Sequence, residues 1–146
     1  METVHYSVKI NASKERVWDI LWGDLTYPEW TSVFTEGSAV VTDWEKGSKV
    51  LFLSGTDDGM YSVIEEKIPN EYMSFKDLGM VKEGKELPID EETKKWSGSL
   101  EKYSLKETDD MTILKVDLDT EESSVESFNK LFPAALKKVK DLAEDQ

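Results

Sequence analysis

The chain offers few groups suited to catalysis. Its 146 residues include one histidine, His5, and no cysteine. A Ser–His–Asp arrangement would have to recruit His5, which lies on the polar side of an alternating stretch, and a zinc site would lack its usual ligands. Without cysteine there are no disulfides, thiolate ligands or thiol nucleophiles. The acidic stretches GTDDG (Gly55 to Gly59) and ETDDM (Glu107 to Met111) lack the spaced oxygens and closing glutamate of a calcium loop; they read as hairpin turns. No glycine-rich phosphate loop follows a strand pattern. The expectation is no metal, no cofactor and no catalytic residue. One carboxylate stands apart. Glu65 shares strand parity with Tyr61 and Val63, and if that side faced inward, burial would raise its pKa and fit it for proton transfer. Facing outward, it is a solvated sheet residue.

Aromatic residues carry a stronger pattern. Three of the five tryptophans, Trp18, Trp22 and Trp30, fall within the stretch Asn11 to Trp30. Such a concentration of large apolar side chains either fills a core or walls a pocket.

Periodicity gives the elements that must position these groups. VHYSVKI (Val4 to Ile10) alternates as a half-buried strand does. ASKERVWDILWG (Ala12 to Gly23) switches to helical spacing. Ser13 suits the N-cap, Ala12 and Val17 a hydrophobic staple, and Gly23 a left-handed residue past the helix end. Val17, Ile20 and Leu21 form one stripe; Trp18 and Trp22 form a second beside it. LTYPEW predicts a short second helix carrying Trp30, with Thr26 as cap and Pro28 in its first turn. From Ser38 the period is two: SAVVTDW, SKVLFLS, GMYSVIEEKI and EYMSFKDL are separated by turn compositions at hairpin spacing. Gly79 to Lys95 shows no usable period and is expected to be a mobile loop that acts as a lid. WSGSLEKYSLKE and MTILKVDL predict a further hairpin. Trp96, Gly98 and Leu100 share one parity and Tyr103 and Leu105 the other, so a bulge is expected near Glu101 and Lys102. SSVE (Ser123 to Glu126) reads as a capping box opening a long helix, in which Pro133 either bends one helix or separates two.

There is no βαβ alternation. Hairpin-linked strands followed by a long helix predict an α+β domain spanning residues 1–146. Acidic residues (31) outnumber basic ones (18), giving a formal net charge of −13. That charge disfavours nucleic acid and anionic bilayers as partners. No apolar run approaches the ~20 residues that span a membrane, and the first residues do not read as a signal peptide. A cytoplasmic location is expected.

Several segments taken in order resemble a known group. INASKERVWDIL, LTYPEW, DWEKGSKVLFL, GMYSVIEEKIPNEYMSF, KKWSGSLEKYSL and FPAALKKVKDL together resemble the START and birch-pollen-allergen (SRPBCC) superfamily. The branch they resemble is that of the activator of the heat-shock-protein-90 ATPase. The resemblance covers essentially the whole chain and rests on order and spacing, not on one motif. It implies a helix-grip fold: a curved antiparallel sheet wrapped around the C-terminal helix, with two short helices after the first strand. It also implies an apolar cavity between sheet and helix, as many relatives have.

The expected cavity residues are Trp22, Trp30, Phe34, Met73, Phe75, Trp96, Phe128 and Phe132. Tyr61 and Tyr103 would serve as polar handles and Glu65 as a cavity carboxylate, while Trp18 is assigned to the core. The leading expectation is a small binding module for an apolar or amphipathic small molecule. The second is an interaction domain for a chaperone or other protein, as in a co-chaperone. The third is a cyclase or hydrolase using the cavity carboxylate.

Overall fold

The computed structural model describes residues 1–145. Strand β1 (Glu2–Ile10) is followed by helices α1 (Lys14–Trp22) and α2 (Tyr27–Thr31). Strands β2 (Ser38–Val41), β3 (Lys49–Ser54), β4 (Gly59–Ile68), β5 (Tyr72–Lys82) and β6 (Lys85–Glu86) come next. A one-turn helix α3 (Glu91–Lys94), strands β7 (Leu100–Thr108) and β8 (Met111–Thr120), and the long helix α4 (Glu122–Glu144) complete the order. The strands form one antiparallel eight-stranded sheet in the order β1-β8-β7-β5-β4-β3-β2, with β6 paired to β5 beside that path. This is an α+β helix-grip arrangement: a curled sheet closed over a C-terminal helix.

Alternation decides which side of each strand faces α4. Leu105, Tyr103 and Glu101 of β7 stand opposite Leu114, Val116 and Leu118 of β8. Met73 and Phe75 of β5 stand opposite Tyr103 and Glu101 on the other flank. Helix α4 adds Phe132, Ala135, Leu136, Val139 and Ala143, all buried, at helical spacing. Its last turn is held by the chain's only arginine. The Arg16 guanidinium, projecting from α1, donates to the carbonyls of Leu142, Ala143 and Asp145 at 3.1, 3.3 and 3.0 Å. These are orphan acceptors of a helix end, so one side chain both caps α4 and fixes α1 against it.

Several local expectations need correction. The segment from Gly79 to Lys95 is organised. β5 runs on to Lys82, and Glu83 and Gly84, both at positive φ (52° and 78°), turn the chain into β6. Asp90 then caps α3 by accepting from the Thr93 amide at 2.8 Å. No bulge interrupts β7. Trp96 lies in the turn after α3 and the strand begins only at Leu100, so the parity change is a boundary between elements. The register shifts lie instead between β4 and β5, at Tyr61/Ser62 and Ile64/Glu66.

Gly23 is extended (φ −72°), not left-handed, and is small because a Cβ there would stand 2.6 Å from the Asp19 carbonyl oxygen. Thr26 does not cap α2; its hydroxyl donates backward to the Ile20 carbonyl at 2.7 Å and closes α1. Helix α4 starts ahead of Ser123, with Glu121 as N-cap, and it runs unbroken through Pro133. Of the two readings of that proline, a single helix is the observed one.

Candidate functional site

The sheet's inner face, α2 and α4 enclose a cleft of about 300 Å³. Trp30 comes from α2 and Phe34 from just after it; Phe128 and Phe132 come from α4; Phe52 and Met60 come from β3 and β4. The aromatic rings lock one another. Phe34 meets Phe132 edge-on at 4.9 Å, Phe128 lies 5.6 Å from Phe132, and Tyr6 stacks on the far side of Phe132 at 5.0 Å. Trp30 is 1% exposed, and its indole N–H donates to the Leu21 carbonyl at 3.0 Å. It is therefore a fixed wall, with no polar atom left to offer.

The one carboxyl lining the cleft comes from β7. Strict alternation places Glu101 inward with Tyr103 and Leu105, between Phe75 of β5 and Leu118 of β8. The Tyr103 hydroxyl donates to Glu101 Oε2 at 2.7 Å. Apolar surroundings penalise the charged carboxylate, and Asp77 adds like-charge repulsion; together they push Glu101 up to about 7 despite the tyrosine bond. Asp77 is raised to about 6, by burial first and by nearby Asp119 to a lesser extent, against a 2.8 Å bond from the Ser62 hydroxyl. Tyr103 and Tyr27 are both held above the ordinary phenol range by burial and by the nearby Glu101.

Beyond Glu101 a second space of about 340 Å³ opens on the opposite side, lined by Asp77, Asp119, Glu121, Trp96 and Ser99. It shares Met60, Glu101 and Phe128 with the first. The two are therefore adjoining chambers, one apolar and one acidic, with a single carboxyl at their junction. No group of three or more potential metal ligands occurs among the described residues.

The candidates read from sequence separate into groups. Trp30, Phe34, Tyr103, Phe128 and Phe132 line the apolar chamber, and Trp96 lines the acidic one. Phe75 is fully buried, ringed by Trp22, Trp44, Phe52 and Tyr103, and belongs to the core. Trp22 and Met73 also belong to the core and reach only a separate depression beside Trp18 and Trp44. Trp22, expected in the cavity wall, is 8% exposed and sits in the core, and Trp18, expected in the core, packs against its edge only partly buried.

Tyr61 and Glu65 lie on the outer face. The inward parity of β4 is Met60, Ser62 and Ile64, and the last two are buried. Tyr61 covers Gly79, where a Cβ would stand 2.7 Å from its ring, and exposed Glu65 sits at a register shift. Both parities of GMYSVIEEKI carry apolar residues, so the pattern alone could not orient this strand. Glu101 and Asp77 were missed. The signal for Glu101 was present in its shared parity with Tyr103 and Leu105, once no bulge is assumed.

No protein-family model matches the sequence, and no curated protein matches it. Solved structures do match. The Aha1 dimer from Colwellia psychrerythraea superposes with TM-score 0.72 at 19% identity, over 99% of this chain and 97% of that one. Protein MLL2253 from Mesorhizobium loti gives TM-score 0.75 at 15% identity, over 99% and 100%. CalU16 from Micromonospora echinospora gives 0.68 at 17% identity, over 97% and 76%. At these identities the likeness is one of fold, and it extends along almost the whole chain: this protein shares with these structures the helix-grip fold, a curled antiparallel sheet closed over a C-terminal helix.

Proposed function

We propose that the protein is a small-molecule binding module that holds an apolar or amphipathic ligand in the cleft between the sheet, α2 and α4. One observation carries this reading: an aromatic cleft of about 300 Å³ with a single carboxyl at its inner end. That volume is at the lower end of the roughly 300–1,000 Å³ typical of ligand pockets, and a mostly apolar wall with few polar groups is their usual composition. Native mass spectrometry of freshly purified protein, together with uptake of the neutral fluorophore N-phenyl-1-naphthylamine, tests it. Ser38 lines the cleft, and Ser38→Trp should fill it, reducing uptake roughly tenfold while the fold persists. A bare chain that takes up no fluorophore would sink the reading.

A second reading has an observation behind it. A carboxyl near 7, hydrogen-bonded to a tyrosine and open to a cleft, can exchange a proton with a bound molecule around neutral pH. The enzyme reading therefore moves from Glu65 to Glu101. It requires turnover of some substrate, lost on Glu101→Gln while binding persists. The co-chaperone reading has the fold likeness to the Aha1 dimer behind it and no residue-level feature of its own.

A further inference from the structure

We propose that the ligand is a cationic amphiphile of modest size, with its aromatic or aliphatic body in the apolar chamber and an amine seated on Glu101. This rests on the reading of the cleft as a ligand site. Among the described residues neither chamber is lined by lysine, arginine or histidine. The groups facing Glu101 are Tyr103 from its own strand, Asp77 from β5 and Tyr27 from α2, with Asp119 of β8 and Glu121 at the start of α4 beyond. All are acidic or neutral.

A fatty acid or phosphate head placed here would meet several carboxylates and no counter-charge. A neutral hydroxyl can donate one hydrogen bond to Glu101 but brings no counter-charge. An ammonium supplies what is missing. Glu101 Oε2 already accepts from Tyr103, while Oε1 meets no protein donor among the described residues. A buried carboxylate is stabilised by a paired, hydrogen-bonded cation. Trp30, Tyr103 and Phe128 line the same space, and aromatic rings attract a cation as well. Desolvation and the nearby Asp77 charge raise the proton affinity of Glu101, and a seated ammonium would oppose both.

The test uses three probes with one skeleton: 4-phenylbutylamine, 4-phenylbutanol and 4-phenylbutanoate. Each is titrated against the full chain at pH 8 by calorimetry and by displacement of N-phenyl-1-naphthylamine. The amine should bind roughly tenfold or more tightly than the alcohol, and the carboxylate most weakly. Glu101→Gln should remove the amine's advantage and leave the alcohol's affinity within about twofold. Glu65→Gln, an equal charge change on the outer face, should leave the advantage intact. The wild-type ratio of amine to alcohol affinity should also rise between pH 6 and pH 8, as Glu101 ionises through about 7.

A fluorophore displaced equally by all three probes, or best by the carboxylate, overturns the charge assignment and leaves the binding reading standing. Equal loss of the advantage in both variants places its origin in the net charge of −13 and also overturns it. If Glu101→Gln fails to fold, a wild-type ratio that stays flat from pH 6 to pH 8 overturns it alone. A chain that binds neither fluorophore nor any probe ends both readings.

Discussion

Tyr103 and Glu101 set each other's proton affinity. The phenol donates to the carboxylate, so the bond favours the ionised acid while burial and Asp77 oppose it. Tyr103→Phe removes the one contribution pulling downward, so Glu101 should titrate higher than about 7 in that variant. Carboxyl carbon shifts followed by NMR across pH 5 to 9 measure this, and an unchanged or lower midpoint would count against the contact. The tryptophans separate on a different axis. Trp22 touches the rings of Trp18, Trp44, Phe75 and Tyr103 within 6.2 Å, and its indole N–H is buried without a partner. Trp22→Ala leaves a hole that those rings cannot close and should cost about 3–5 kcal/mol in denaturant unfolding. Trp18→Ala, at the partly exposed edge, should cost clearly less. Equal costs would mean that burial does not set the difference.

At the scale of elements, the segment after β5 is the most informative. Asp90→Ala removes the only side-chain cap of α3 and should cost about 1 kcal/mol. Amide exchange should accelerate from Thr93 to Ser97, whose amides bond back into this turn. Exchange there that is already as fast as in free peptide would restore the loop expected from the sequence. That expectation arose because α3 is one turn long and β6 has two residues, too short for any period to register. The longer elements were legible for the opposite reason. β1, α1, α4 and the hairpins keep one period over many residues, and Ser13 accepts from the Arg16 amide at 3.2 Å as its position before an apolar stripe implied. Legibility of the site followed strand orientation. β7 is polar on one side, so a strict alternation from Glu101 would have turned that residue inward. β4 is apolar on both sides, and only its pairing with β5 and the two register shifts send Tyr61 and Glu65 outward. The acidic chamber left no local trace, because Asp77, Glu101 and Glu121 meet only once β5, β7 and α4 are assembled.

On the scale of the whole molecule, the two raised acids, buried Asp77 and half-buried Glu101, oppose the lowered acids nearer the surface. In the folded chain Asp77 and Glu101 hold protons up to about 6 and about 7, whereas in the unfolded chain they ionise near the ordinary carboxylate range, roughly 4. Between those values the folded state binds more protons than the unfolded state, so stability falls as pH rises toward 7. Asp43, Glu66, Asp90 and Glu144 are lowered by hydrogen bonds, mainly from neighbouring amides, hydroxyls and lysines. Their contribution has the opposite sign: it is present above the ordinary range and lost in acid. The two trends meet near the ordinary carboxylate range, roughly pH 4, so Tm should already be falling at pH 5 and should be on the order of 5 °C lower at pH 8 than at pH 5. Glu101→Gln keeps an acceptor for Tyr103 and removes the buried charge, so it should unfold at higher temperature than the wild type at pH 8 and show a shallower fall. Glu65→Gln removes one charge from the outer face and serves as the comparison, since His5 and the other surface acids are common to both variants. Calorimetric scans of the three chains at pH 5 and pH 8 separate the causes. Parallel curves would assign the fall to self-repulsion of the net charge, and a flattening confined to Glu101→Gln would assign it to the carboxyl between the two chambers.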